Sequence, residues 1–265
     1  MFRASAAAIY AVLLGPFEGA LVGQTLVVIP DGDLWRVPFS ALVTGEGAFL
    51  IEQACVQLSV TLCSLLCDEV EQQQCQVPHA SATLYVEVIS GPATVLSDEQ
   101  LQALSSSTHV MHAGADSKNA TTDTGPATSP KALHIEFRLA AVGPSGQAAL
   151  LDGPALAMDD GLAAVTLGPT TLGRCGLAGP LNLAVGVQAA GVPVVFPRWQ
   201  LPGAAAAASC TALLARFYRE LPLIDKRHAH QAANALRIAK LSLLYSGKDS
   251  TCAHPLYWAG YDVVE

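Results

Sequence analysis

The sequence predicts an α/β fold with a mostly parallel central sheet. Three observations predict it. Residues 162–199 run as a short apolar stretch (Leu162–Leu167), a Gly/Pro/Thr/Cys loop, a longer apolar segment (Leu177–Ala190), Gly191 and a β-branched run to Pro197. That order is strand, loop, helix, strand: a right-handed crossover whose strands are buried on both faces. Thr25–Ile29 is apolar almost throughout, which is expected of a central strand rather than of one with a wet face. The composition is 51% hydrophobic and 14% charged, the bias that a sheet covered on both sides produces.

The bulk numbers exclude several classes. At 265 residues the chain can bury one large core, and it is read as one domain over 1–265. A net charge of −8 argues against a nucleic-acid or anionic-membrane surface. Leu177–Pro197 lacks charge but holds Asn182, Gln188 and prolines, so no membrane span is expected. Arg3 and the apolar run after it mimic a secretory leader. No A-x-A site follows the run and Glu18 interrupts, so an amphipathic helix is expected. Seven cysteines are an odd number, too few for a disulfide scaffold of this length. Cys55, Cys63, Cys67 and Cys75 share one stretch, but no C-x-x-C occurs and His79 alone is near ligand spacing. Buried free thiols, no metal and a reducing, cytoplasmic setting are expected. Arg216, Arg219, Lys226, Arg227, Arg237 and Lys240 are read as solvated helix faces.

Taken in order, Ser5–Leu14 is a helix ended by Gly15-Pro16, and Thr25–Ile29 is the first strand. Pro30-Asp31-Gly32-Asp33 is a turn, and Leu34–Leu42 an irregular β segment around Pro38. Phe49–Leu66 reads as a short strand and then a helix around Leu58–Leu66. The polar, aperiodic segment 68–82 is a flexible loop. Leu84–Ile89 is a strand, and Asp98–Leu104 a short helix with Ser97 as N-cap. His109–Ala113 is a strand end leading into a Gly/Ser/Thr-rich flexible loop over 114–130. Leu133–Val142 alternates as a strand, and the central crossover follows. Ala204–Glu220 and Ala229–Tyr245 are amphipathic helices, the second with the stripe Ala232, Leu236, Ala239 and Leu243. His254–Val264 is a last apolar element, expected as an edge strand.

In parallel sheets reactive groups sit in loops beyond the carboxyl ends of strands. The loop Gly168–Gly176 is therefore the candidate site, and Cys175 its candidate nucleophile. A phosphate-binding reading of Gly173–Gly179 fails, because its glycines are spaced by three and lack the G-x-G-x-x-G order. No cofactor is expected.

Several segments resemble the CHAT domain, the caspase-like domain found with tetratricopeptide repeats. Its opening pattern, L-x-x-P and then L-V-x-x-P-D-G-x-L-x-x-x-P-F-x-A-L, is similar to Leu14–Pro16 and to Leu26–Leu42. Its later A-G-x-x-x-V-x-x-x-W, F-Y-x-x-L, A-L-R-x-A and P-x-x-W-A have counterparts in Ala190–Trp199, Phe217–Leu221, Ala235–Ala239 and Pro255–Ala259. The resemblance implies a caspase-like three-layer α/β/α fold, with the site at the carboxyl ends of two central strands. It also implies a catalytic pair: the second His of H-F-A-x-H-G and the Cys of L-S-A-C-E-T-G. That pair is a thiolate activated by an imidazole, with backbone N–H groups holding the oxyanion. On this chain Asp116 falls at the His position and Thr170 at the Cys position. A carboxylate does not make a threonine hydroxyl a nucleophile near neutral pH as an imidazole does a thiol. The expectation is a degenerate domain that binds a protein or peptide partner, with a tetratricopeptide-repeat region among the partners implied. The alternative is an active cysteine endopeptidase using a displaced dyad of His112 and Cys175, which needs ring and sulfur about 3–4 Å apart.

Overall fold

The computed structural model describes residues 2–60, 85–90, 110–112, 131–136, 162–168, 178–188, 192–199, 204–221, 230–246 and 251–265. Its strands are β1 (Thr25–Val28), β2 (Cys55–Leu58), β3 (Tyr85–Ser90), β4 (Val110–His112), β5 (Lys131–Glu136), β6 (Leu162–Leu167), β7 (Val194–Pro197) and β8 (Tyr261–Val264). They form one sheet in the order β1-β2-β8-β7-β6-β5-β3-β4. Neighbours run parallel except β7 and β8. The helices are α1 (Phe2–Leu13), α2 (Glu18–Leu21), α3 (Leu50–Gln53), α4 (Ala178–Gln188), α5 (Ala204–Glu220), α6 (Gln231–Leu244) and α7 (Pro255–Trp258).

The crossover expected from 162–199 is present. β6 and β7 pair in parallel, with Val165 opposite Val194 and Thr166 opposite Val195, and α4 connects them. Side chains on a strand alternate between faces, and the two cores divide accordingly. Ala164 and Val195 pack with Leu213, Phe217, Leu236 and Ala239 of α5 and α6. Val165, Leu167, Val194 and Phe196 pack with Ala184 and Val187 of α4. Helices thus cover both faces, which is the α/β/α layering expected.

Local chemistry fixes the helix ends near the sheet. The Glu265 carboxylate accepts from the Ala232 and Ala233 N–H groups at 3.4 and 3.2 Å, placing negative charge on the amino end of α6. α7 starts with Pro255, and His254 Nδ1 accepts from the Leu256 N–H at 3.1 Å. Among the described residues no single helix is long and apolar enough to cross a membrane, and α1 is bent by 64° from the segment Gly15–Leu21.

Several expectations need correction. β1 is an edge strand, not a central one, and all its residues are half-buried. An apolar pattern reports what covers the faces of a strand, and Leu26 and Val28 do pack on a core. It says nothing about whether the strand is paired on both edges. Leu34–Leu42 is not a β segment but two 3-10 turns, Gly32–Arg36 and Phe39–Ala41. Gly32 at φ +52 and Pro38 interrupt the extended backbone there. In 49–66 a short helix, α3, precedes the strand β2, and the expected helix beyond Leu58 falls mostly outside the described residues. β5 starts two residues before the expected Leu133. β8 is an inner strand between β2 and β7, buried throughout, rather than an edge. Position in the chain does not fix position in the sheet. Tyr261 and Val263 fill one core and Val264 the other. The expected helix Asp98–Leu104 and the loops 68–82 and 114–130 lie outside the described residues.

Candidate functional site

The candidate site lies where β5, β6 and β7 end. Parallel strands deliver their carboxyl ends to one side, so that side collects the loops that follow them. β6 is fully buried from Ala164 to Leu167 and opens at Gly168 into residues 169–177, which are outside the described residues. β7 continues into Arg198 and Trp199. Extending the register from Thr166 opposite Val195 puts Gly168 level with Pro197, and Arg198 one position beyond.

Of the residues named from the sequence, Asp116, Thr170 and Cys175 lie outside the described residues. His112 ends β4 and is paired in register with Ser90 of β3. β4 is the outer strand on its side, with β3 and β5 between it and β6. Three strand spacings separate the backbones of β4 and β6 by about 14 Å. The topology therefore does not bring the His112 strand beside β6. The histidine that it does bring there is His134 of β5, opposite Thr166 in register. Sequence reading passed over His134 because it lies inside a strand rather than at a strand end.

Just past the carboxyl end of β7 stands a buried charge cluster. The Arg198 Nε donates to Asp262 Oδ2, and its Nη1 donates to the Trp35 carbonyl at 2.5 Å. Lys240 Nζ donates to Asp262 Oδ1 and to Ser40 Oγ, both at 3.0 Å. The side chains of Arg198, Asp262 and Lys240 are 1%, 4% and 3% exposed. Arg198 Nη2 is buried without a hydrogen-bond partner. Two cations and one carboxylate leave the trio with one excess positive charge. Burial pushes the Lys240 ammonium below its ordinary 10.5, and Asp262 opposes that shift. The trio ties the stretch 30–42 to β7, β8 and α6. It places buried ionisable groups just past the carboxyl end of β7 and supplies no nucleophile.

This corrects the reading as solvated for Lys240 and Arg237; Arg219 is exposed as expected, and Lys226 and Arg227 lie outside the described residues. Lys240 is buried, and Arg237 donates to the Ile51 and Glu52 carbonyls at 2.9 and 3.0 Å. The signal was present. Lys240 follows Leu236 by four and precedes Leu243 by three, so it stands within the apolar stripe. Lysine is almost never fully buried unless paired, and a lone Asp262 in an apolar strand is its complement.

Cys55 of β2 lies near this region, and its thiol is pushed up to about 11 by burial, with Glu265 adding and Arg237 and Lys240 opposing. Its thiolate fraction at neutral pH is lower than at the ordinary value by a factor of about 100. Alkylation of Cys55 in the folded chain, followed by peptide mass spectrometry, is expected to be slow at pH 8, to rise about tenfold per pH unit and to level off only above about 11. The sign for stability follows. A raised folded value contributes stability that is complete below 9.0 and lost as pH climbs to about 11. Fast alkylation at pH 8 would show that the thiol is not buried in solution.

The CHAT domain model matches residues 3–142 and 162–264 of the chain. This chain belongs to the CHAT domain family. Caspase-like peptidases are relatives of that family, and the sheet order and layering are consistent with a caspase-like α/β fold. No curated protein matches the chain. The match omits 143–161. Among the described residues no group of His, Cys, Asp or Glu could hold a metal ion.

Proposed function

We propose that this CHAT domain is degenerate and acts as a protein-interaction or regulatory module, in a reducing, cytoplasmic setting. Asp116 and Thr170 stand where the family pattern has its histidine and cysteine, and that replacement is the observation that carries the reading. The strand order supports it, because His112 ends a strand separated from β6 by two others. Sheets of this kind bind ligands beyond the carboxyl ends of their strands, and a domain that has lost its nucleophile can still take an extended peptide there through backbone hydrogen bonds. The partner is a protein segment, with a tetratricopeptide-repeat region the first to test.

The experiment exposes the purified chain to a peptide library and to peptides carrying a thiol-reactive electrophile. Reversible binding is expected, with equal labelling of the chain and of its Cys175→Ala variant. Labelling or proteolysis that disappears in Cys175→Ala would overturn the reading in favour of a cysteine endopeptidase.

A further inference from the structure

The buried trio of Arg198, Asp262 and Lys240 is unbalanced in two separate ways. The first is charge. Among the described residues no second carboxylate pairs with Arg198 or Lys240, so two cations share Asp262. Cys55, the other acid whose field reaches Lys240, is held neutral, its thiol pushed up to about 11 by burial. The second is hydrogen bonding. Arg198 spends Nε on Asp262 and Nη1 on the Trp35 carbonyl, while Nη2 is buried without a partner. The Arg198 side chain is 1% exposed. An orphaned donor at such depth is rare and costly, because it has given up water for nothing.

One group can answer both faults, and few can. Loss of a proton from Lys240 removes the excess charge but leaves the N–H groups of Nη2 unpaired. A water at Nη2 accepts a hydrogen bond but leaves the charge. A monovalent anion at Nη2 does both, and a guanidinium and a carboxylate match in shape as well as in sign. A dianion such as phosphate exceeds the one positive charge in surplus.

We propose that the trio is a seat for one small monovalent anion of the carboxylate class, held at Arg198 Nη2. With the three side chains at most 4% exposed, the ion is a free one rather than a side chain of a bound peptide. It completes the charge balance where the stretch 30–42, β7, β8 and α6 meet. The seat stands independently of any chemistry at the strand ends.

The probe is sodium formate, varied over a thousandfold range on the full chain. A large monoanion such as gluconate holds sodium and ionic strength constant. The melting temperature is expected to rise by about 3–5 °C for each tenfold increase once formate exceeds its dissociation constant. The net charge of −8 disfavours diffuse anion binding, so such a rise reports a local site. Arg198→Met removes the donor and leaves Lys240 balanced by Asp262, and it should abolish the rise. Lys240→Met keeps the donor and leaves Arg198 balanced by Asp262, and it should weaken formate binding by tenfold or more. Either variant suffices if the other fails to fold. A wild-type melting temperature that formate does not move overturns the proposal. So does a rise that survives undiminished in a folded variant, since the anion then binds elsewhere.

Discussion

Replacing Asp262 by alanine is expected to destabilise the chain by about 3–5 kcal/mol, the cost of leaving buried charge uncompensated. For a chain of this size that is a melting-temperature loss of about 10 °C. Arg198 and Lys240 would then face each other across a space with almost no exposure to water. The loss should depend on pH with a definite sign. Asp262 is the group that holds Lys240 up against the desolvation that lowers it. Without it the folded lysine falls further below 10.5, while the unfolded lysine keeps its ordinary value. The unfolded state then binds more protons, so the stability of the variant rises with pH toward 10.5, and its deficit against the wild type shrinks. Arg198 keeps its charge throughout, so part of the deficit remains. Denaturant titrations of both chains at several pH values read this directly. A pH-independent deficit would show that Lys240 is not the group responding. Replacing all three charges together with apolar residues of similar volume should cost far less than Asp262→Ala alone.

What was legible in the sequence was periodicity. β6, α4 and β7 were readable because an uncovered face or an interrupting Gly/Pro loop changes the residue pattern itself. The order of strands was not readable in the same way. Thr25–Val28 and Tyr261–Val264 have similar apolar patterns, yet one is an edge and the other lies between two partners. Pairing on an edge uses backbone groups that every residue carries, so it leaves little mark on the side chains. The same limit affected the candidate site. His112 and Cys175 both follow from strand-end positions, but their separation depends on how many strands intervene, and only the topology gives that number.

The charge trio was missed for a different reason. Arg198, Lys240 and Asp262 are far apart in the chain, and although Lys240 stands in an apolar stripe and Asp262 in an apolar strand, nothing in their spacing says that they meet. Their burial is intelligible only as a set, because each charge is tolerated by the presence of the others.

Trp258→Ala is the second large effect, an expected loss of about 3–5 kcal/mol from an unfilled core site. Trp258 is fully buried. It packs edge-on to Phe49 at 5.1 Å, and its Nε1 donates to the Ala253 carbonyl at 3.1 Å. The other face of the connection is Arg3, whose guanidinium lies 4.7 Å from the Phe49 ring centre and donates to the Gly47 carbonyl. Losing the indole therefore frees more than a cavity wall, and amide exchange should rise in α1 and around the Val43–Phe49 bridge. The same short helix α7 presents the Leu256 carbonyl to Trp199 Nε1 at 3.0 Å. Gly260 permits that approach, since an added Cβ would meet the indole nitrogen at 3.3 Å. Trp199 adjoins Arg198, and Gly260 lies two residues before Asp262, so the tryptophan core and the charge trio share one support. Their losses should therefore not add. The double variant Trp258→Ala/Asp262→Ala is expected to lose less than the two single losses together, by about 0.5–3 kcal/mol. Strict additivity would separate the two sites. Trp258→Phe should recover most of the packing and leave chiefly the Ala253 carbonyl unpaired, a loss of about 1–3 kcal/mol.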